Sequence, residues 1–241
     1  MVTAFDAAHL QAEYDVRLEW GPIGAEALGG SDVAVVVDVL SFTTSVTVGV
    51  GRGMRIWPFT WKDERAEEFA HSRNAVLART RADGLSPGAL PRTEATRLVL
   101  PSPNGSTIAA ALVDGGATVI AACLRNAAAV GGHLEAMAPR SVTVIAAGER
   151  WPGGSLRPSA EDLWGAGAVI SGLTGSRSPE AQLAVDAYAA ARPDLAERLL
   201  ACASGRELVA KGFADDVRIA GEIDADDVIP VLGPDGAFSA A

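Results

Sequence analysis

Four polar clusters in this chain hold the residue types that chemistry on a charged ester requires. They are Asp38, Ser41, Thr43 and Thr44 within residues 38–44; Ser102, Asn104, Gly105, Ser106 and Thr107 within 102–107; Arg125-Asn126; and Glu149-Arg150 with the later Glu161-Asp162. Carboxylates are the oxygen donors that hard divalent cations prefer. Arginine grips phosphate-like anions with two parallel hydrogen bonds, and hydroxyls and amides at a helix start donate to anionic oxygens. The mixture suits a divalent cation beside a phosphate-like anion. It points to an enzyme rather than a binding module, because binding an anion does not by itself call for several acids.

Each cluster also has a plainer reading. Asp38 ends an apolar run, where a carboxylate needs a metal, a hydrogen-bond network or water; on position alone it could equally cap the helix that follows. Residues 102–107 fit a strand-to-helix turn in which Gly105 takes a positive φ and leaves amides exposed for an anion, or a simple turn plus cap. Arg125-Asn126 lies at the equivalent corner of a later strand. Glu149-Arg150 adds a carboxylate and a guanidinium after Gly148. Glu161-Asp162 opens a helix, where acids suit the dipole whatever their function.

Other chemistries fail on spacing. A haloacid-dehalogenase-type nucleophile needs a second Asp two residues after the first, and Leu40 stands there after Asp38. Arg206 is only four residues after Cys202, two short of a C-x₅-R phosphatase loop. No Walker-type loop is present, and Gly49-Val50-Gly51-Arg52-Gly53 follows a helix and precedes a strand, the reverse of a dinucleotide site. His9, His71 and His133 are isolated, and Cys123 and Cys202 show no zinc spacing and read as reduced, mostly buried thiols. Trp151 and Trp164 flank the clusters as packing or pocket-wall residues.

The clusters are positioned by an alternation of strands and helices. Strands are expected over residues 16–20, 33–39, 56–59, 75–79, 97–100, 117–122 and 142–146. The run 33–39 is apolar without alternation, as a strand covered on both faces reads, and Pro58 predicts an edge strand at 56–59. Helices are expected over 22–28, 43–49, 63–74, 106–113, 126–137 and 159–173, then 180–191, 194–202 and 205–211 without intervening strands. Residues 80–96 and 148–158 read as Gly/Pro-bearing loops, and 228–232 as a β-segment that rejoins the sheet. This order predicts a three-layer α/β/α fold with a mainly parallel sheet and a helical C-terminal third packed on it. A single α/β domain over 1–241 is expected, with 175–215 as a helical subdomain. In such sheets the loops leaving strand carboxyl ends gather at one edge, so distant clusters can share a site.

Composition agrees. The chain has 241 residues, 49% of them hydrophobic, and a formal net charge of −10. That balance argues against nucleic acid, whose phosphate backbone needs a basic face. Of 20 basic residues only Lys62 and Lys211 are lysine, a skew ascribed mainly to genomic composition. Mean hydropathy is +0.20, yet breakers interrupt every apolar run well below the ~18 residues that span a membrane. No signal peptide is evident, so the chain is expected to be soluble and cytoplasmic, without a membrane partner. A homodimer is expected only because such assemblies are common.

Taken in order, these stretches resemble the 2-phosphosulfolactate phosphatase family of coenzyme M biosynthesis. The resemblance rests on Val35-Val36-Val37-Asp38-Val39-Leu40, Thr43-Thr44, Asn104-Gly105-Ser106, Asn126-Ala127, Gly148-Glu149-Arg150, Glu161-Asp162 with Gly165-Ala166-Gly167, and Ser204-Gly205-Arg206 to Gly212-Phe213 with Asp216. It implies a Mg²⁺-dependent phosphatase that cleaves 2-phospho-3-sulfolactate to 3-sulfolactate and phosphate. It further implies metal held by Asp38 with Glu149 and Glu161 or Asp162. Phosphate would be cradled by Asn104, Gly105, Ser106 and Thr107, with Ser41, Thr43, Thr44 and Asn126 also binding substrate. Arg125 and Arg150 would offset charge developing in the transition state or hold the distal anion. Attack by water and attack by Asp38 both remain open. One departure stands in the first motif: many members carry Arg where this chain has Ser41, which leaves the exact substrate open. A small-anion or nucleotide-binding module without turnover is the alternative from another class.

Overall fold

The computed structural model describes residues 5–60 and 63–241. The first half alternates β1 (Val16–Trp20), α1 (Gly21–Ala27), β2 (Val33–Val37), α2 (Phe42–Gly51), β3 (Arg55–Phe59), α3 (Glu64–Ser72), β4 (Val76–Leu77), β5 (Arg97–Pro101) and α4 (Gly105–Asp114). It continues through β6 (Thr118–Ala122), α5 (Ala127–Met137), β7 (Val142–Ala146), the short hairpin β8 (Glu149–Arg150) and β9 (Leu156–Arg157), and α6 (Ala160–Ser171). Helices α7 (Pro179–Ala191), α8 (Leu195–Ala201), α9 (Ala203–Ala210) and α10 (Ala214–Ala220) follow, and then β10 (Pro230–Leu232) and β11 (Phe238–Ala240).

Nine strands form one sheet in the order β1-β7-β2-β6-β10-β11-β3-β5-β4. The valine run explains its centre. All five residues of β2 are buried, and the strand pairs in parallel with β6 and β7 along its whole length. β-branched side chains fit a pleated surface covered on both sides. Val33, Val35 and Val37 enter one core with Val130 of α5, Val169 of α6 and Ala184 of α7. Ala34 and Val36 enter a second core with Ala25 of α1, Val46 of α2 and Ile108 of α4. Helices therefore cover both faces, as the alternation predicts. Each fully buried valine contributes roughly 1.5–3 kcal/mol. Leu199, Leu208 and Val217 of α8, α9 and α10 join the first core, so the helical C-terminal third packs on the sheet.

Three differences from the sequence reading have physical causes. β3 is an interior strand, not an edge: β11 meets it only at Phe238↔Ile56, so Pro58 lies beyond that short ladder and no bond is lost for want of its N–H. Residues 148–158 are not a plain loop. Gly153-Gly154 joins β8 and β9 in a hairpin that sets Glu149 across from Arg157. Helix α10 escapes a period-based reading because it is only seven residues long. The expected segment at 228–232 does rejoin the sheet, together with β11. The pair fills the space between β6 and β3 with antiparallel contacts, joining two parallel blocks.

Candidate active site

The exits of β2, β5 and β7 meet at one cleft of about 370 Å³ lined by Asp38, Ser41, Arg81, Asn104, Glu149 and Arg150, among others. Asp38 comes from the first exit, Asn104 from the second, and Glu149 and Arg150 from the third. The exits of β2 and β7 share the strand-end edge expected of a parallel block, whereas β5 belongs to the block that runs the other way across the antiparallel β10–β11 pair. Asp38 and Glu149, far apart in sequence, face the same space.

Local bonds fix the first exit. The Asp38 N–H donates to Thr43 Oγ1 at 2.9 Å, and that hydroxyl donates back to the Asp38 carbonyl at 2.8 Å. Thr44 Oγ1 donates to the Val39 carbonyl at 2.7 Å. The two threonine hydroxyls thus shape the loop and are occupied by it. Asp38 Oδ1 accepts the Phe42 N–H at 3.1 Å, so the residue caps α2 and lines the cleft at once. Its residue exposure is only 9%. Burial, and then the charge of Glu149, push its pKa up to about 7, while amides at Phe42 and Gly105 pull the other way.

Asn104 organises the cleft's rim. Its Oδ1 accepts Arg150 Nε–H at 3.0 Å, and its Nδ2 donates to the Gly148 carbonyl at 3.3 Å and to Glu149 Oε2 at 3.5 Å. One side-chain amide therefore aligns both the carboxylate and the guanidinium of the third exit. Glu149 is raised above the usual carboxylate range by burial and by Glu161, against the pull of Arg157 across the hairpin.

Gly105 does not take a positive φ, contrary to the turn expected there. A Cβ at this position would lie 2.2 Å from the Phe42 ring, so glycine is required by the close approach of α4 to α2. Ser106 Oγ is buried and has no hydrogen-bond partner among the described residues. Thr107 Oγ1 donates to the Pro103 carbonyl at 2.7 Å.

Glu161 and Asp162 are both buried at the start of α6. Asp162 acts as a strap: Oδ1 accepts the Val39 N–H at 2.7 Å, and Oδ2 accepts the Gly148 N–H at 2.9 Å and the Ser159 hydroxyl at 2.6 Å. Burial and the charges of Asp38 and Glu161 raise its pKa against these three donors, which favour the ionised form. Further along α6, a Cβ at Gly167 would come 2.0 Å from the Ala184 carbonyl. The small residues there let α7 close onto α6.

Arg125 and Asn126 are held elsewhere. Arg125 Nε donates to Asp226 at 2.6 Å, and its Nη1 donates to Glu222 and to the Ile219 carbonyl. Asn126 bonds the backbone at Cys123, Ala121 and Val228. Both tie β6 to the segment leading into β10, and neither lines the cleft. Trp164 packs against the first core, whereas Trp151 is 55% exposed. The Cys202 thiol is pushed up to about 12 by burial and by Glu161, which removes it as a nucleophile near neutral pH.

Two arginines escaped the sequence reading. Arg81 reaches the cleft from the segment 80–96, where no periodicity marks it; only the length of that loop was a signal. Arg157 faces Glu149 across β8–β9 and donates to Ser204 at 3.1 Å. The Gly153-Gly154 pair between short extended runs could have revealed that hairpin.

Asp38, Glu149 and Asp162 carry pKa values raised by burial and by neighbouring acids, the state of a site short of positive charge. Among the described residues no three His, Cys, Asp or Glu side chains converge as a closed metal cage. Mg²⁺ does not need one, since it binds through one or two carboxylates and keeps waters and substrate oxygens. The all-oxygen donors Asp38 and Glu149 fit that mode.

Fold and cleft together are those of an α/β enzyme with its site at the strand ends. The chain belongs to the 2-phosphosulpholactate phosphatase family, whose sequence model matches residues 25–234. It is 27% identical to a Cyanothece sp. protein named "Probable 2-phosphosulfolactate phosphatase", over 87% of this chain and 93% of the relative. It is 29% identical to a Thermus thermophilus protein of the same name, over 90% of this chain and 94% of the relative. Among the described residues no helix is long and apolar enough to cross a membrane.

Proposed function

We propose that this chain hydrolyses 2-phospho-3-sulfolactate, or a similar small phosphorylated hydroxy acid, to the free hydroxy acid and phosphate with the help of Mg²⁺. The observation that carries this reading is the meeting of Asp38 and Glu149 with Asn104 and Arg150 in one small cleft. The family membership and the names of the two relatives support the substrate.

Asp38 and Glu149 would hold the ion. Bound there, Mg²⁺ supplies charge neutralisation at the phosphate and a more acidic water. The chain's own residues supply orientation. Asn104 keeps the Glu149 carboxylate and the Arg150 guanidinium in register, and the Gly105 amide at the start of α4 favours the ionised form of Asp38. Among the described residues Arg150 Nη2 has no partner, and it is a donor suited to charge developing on phosphoryl oxygens. Asp162 holds the backbones at Val39 and Gly148, and so fixes the separation of the two loops that carry Asp38 and Glu149.

The test is phosphate release by the purified chain from phosphosulfolactate and other phosphorylated hydroxy acids, with Mg²⁺ and after chelation. Release that needs Mg²⁺ and falls at least about 100-fold in Glu149→Gln is expected, as for loss of a transition-state contact. Turnover unchanged by complete removal of metal would overturn the metal assignment. Ligand-induced stabilisation with no product from any ester would return the chain to a binding role.

A further inference from the structure

We propose that Arg81 is the residue through which this cleft selects esters carrying a second anionic group, a carboxylate or sulfonate, beside the phosphate. The inference rests on the phosphatase reading above and concerns which esters that site accepts.

Arg81 lines the same cleft as Asp38, Glu149 and Arg150. Its head is held from three sides. Nη1 donates to Asp216 Oδ2 at 2.8 Å and to Ser41 Oγ at 3.2 Å, and the guanidinium carbon lies 5.2 Å from the centre of the Phe213 ring. Asp216 is itself buried and accepts the Ser86 hydroxyl. These contacts use one corner of the planar fork. Nε and Nη2, the side-on pair with parallel N–H bonds, have no protein partner among the described residues, and the side chain is 24% exposed.

That is the arrangement needed for two-point recognition of a carboxylate or sulfonate: a fixed plane, a stacked face and a free donor edge. Arg125 offers the contrast. It is 10% exposed and committed to two carboxylates and a carbonyl, so it has no comparable opening. Because Asp216 balances the charge of Arg81, the site would discriminate by hydrogen-bond direction more than by net charge. Sequence alone could not show this, since Ser41 and the pair Phe213 and Asp216 reach Arg81 from two distant parts of the chain.

The full-length chain and its Arg81→Gln and Arg81→Lys variants are compared in Mg²⁺ by isothermal titration with 3-sulfolactate and, separately, inorganic phosphate. Thermal unfolding confirms that each is folded. Arg81→Gln is expected to weaken 3-sulfolactate about tenfold or more while phosphate changes by less than about twofold, the loss of charge-assisted bonds at one end of the ligand. Arg81→Lys should fall between, because an ammonium keeps the charge without the fork. In turnover, KM should rise for phosphosulfolactate, with kcat/KM for p-nitrophenyl phosphate held within about twofold. Unchanged 3-sulfolactate affinity in folded Arg81→Gln, no 3-sulfolactate binding by the wild type, or an equal loss for phosphate would each overturn the proposal. Arg81-dependent binding of 3-sulfolactate by a chain that hydrolyses no ester would instead sink the phosphatase reading and leave this assignment standing.

Discussion

Asp162 accepts the amide hydrogen of Val39 at 2.7 Å, one residue beyond Asp38. A carboxylate on α6 thus sets the position of the loop that carries the principal acid of the cleft, and its other oxygen does the same for Gly148, one residue before Glu149. Removing it leaves two buried backbone donors unpaired, at about 1–3 kcal/mol each. Asp162→Ala should therefore lose roughly 2–5 kcal/mol of stability in denaturant unfolding. A variant as stable as the wild type would show that water replaces the strap.

Asp38 gives a pH prediction of definite sign. Its carboxyl ionises near 3.8 when unfolded and near 7 when folded. Between those values the native state binds more protons than the unfolded state, so the metal-free protein loses stability as pH rises from about 4 to about 7. Asp38→Asn lacks this loss, and at pH 8 should be more stable than the metal-free wild type by roughly 1–4 kcal/mol while losing turnover. Equal stability curves for the two proteins from pH 5 to pH 8 would show that Asp38 is not the group that titrates.

Close packing at the start of α4 can be tested without touching a charge. With a Cβ only 2.2 Å from the Phe42 ring, Gly105→Ala should cost about 1–3 kcal/mol, the range for overpacking. It should also lower kcat/KM, because α2 and α4 both start at the cleft. A simultaneous Phe42→Leu change, which clears the ring, should recover most of the stability.

Arg125 separates a structural cation from a substrate contact. Its bonds to Asp226, Glu222 and Ile219 hold the segment before β10. Arg125→Ala should lower stability by about 2–5 kcal/mol, since it leaves a partly buried acid without its partner. KM should stay within about twofold in the folded fraction. A large rise in KM with unchanged stability would restore Arg125 to the substrate.

Much of this architecture could be read from residue patterns because the patterns are local. The valine run of β2, the hydroxyl-rich start of α2 and the alternation through α6 each depend on neighbours in the chain. The carboxylates of the first and third exits were legible for the same reason, since strand ends in a parallel sheet share an edge. What stayed hidden depends on distant contacts. Arg125 looked equivalent to Arg150 because both follow strands, and only the docking of residues 219–226 against it separates them. Gly105 suggested a positive φ, but the constraint is the ring of Phe42. Arg81 carried no local signal, since Ser41, Phe213 and Asp216 reach it through the fold. Pro58 signalled an edge correctly in chemical terms, but the neighbouring ladder is too short for the rule to apply.

The antiparallel pair at residues 230–240 stands between β6 and β3, so the two halves of the sheet pair with this wedge rather than with each other. The cleft draws Asp38 and Glu149 from one half and Asn104 from the other. That wedge therefore helps to hold in register the two halves whose loops form the cleft, alongside the direct packing of α4 on β2 and of α2 on β3.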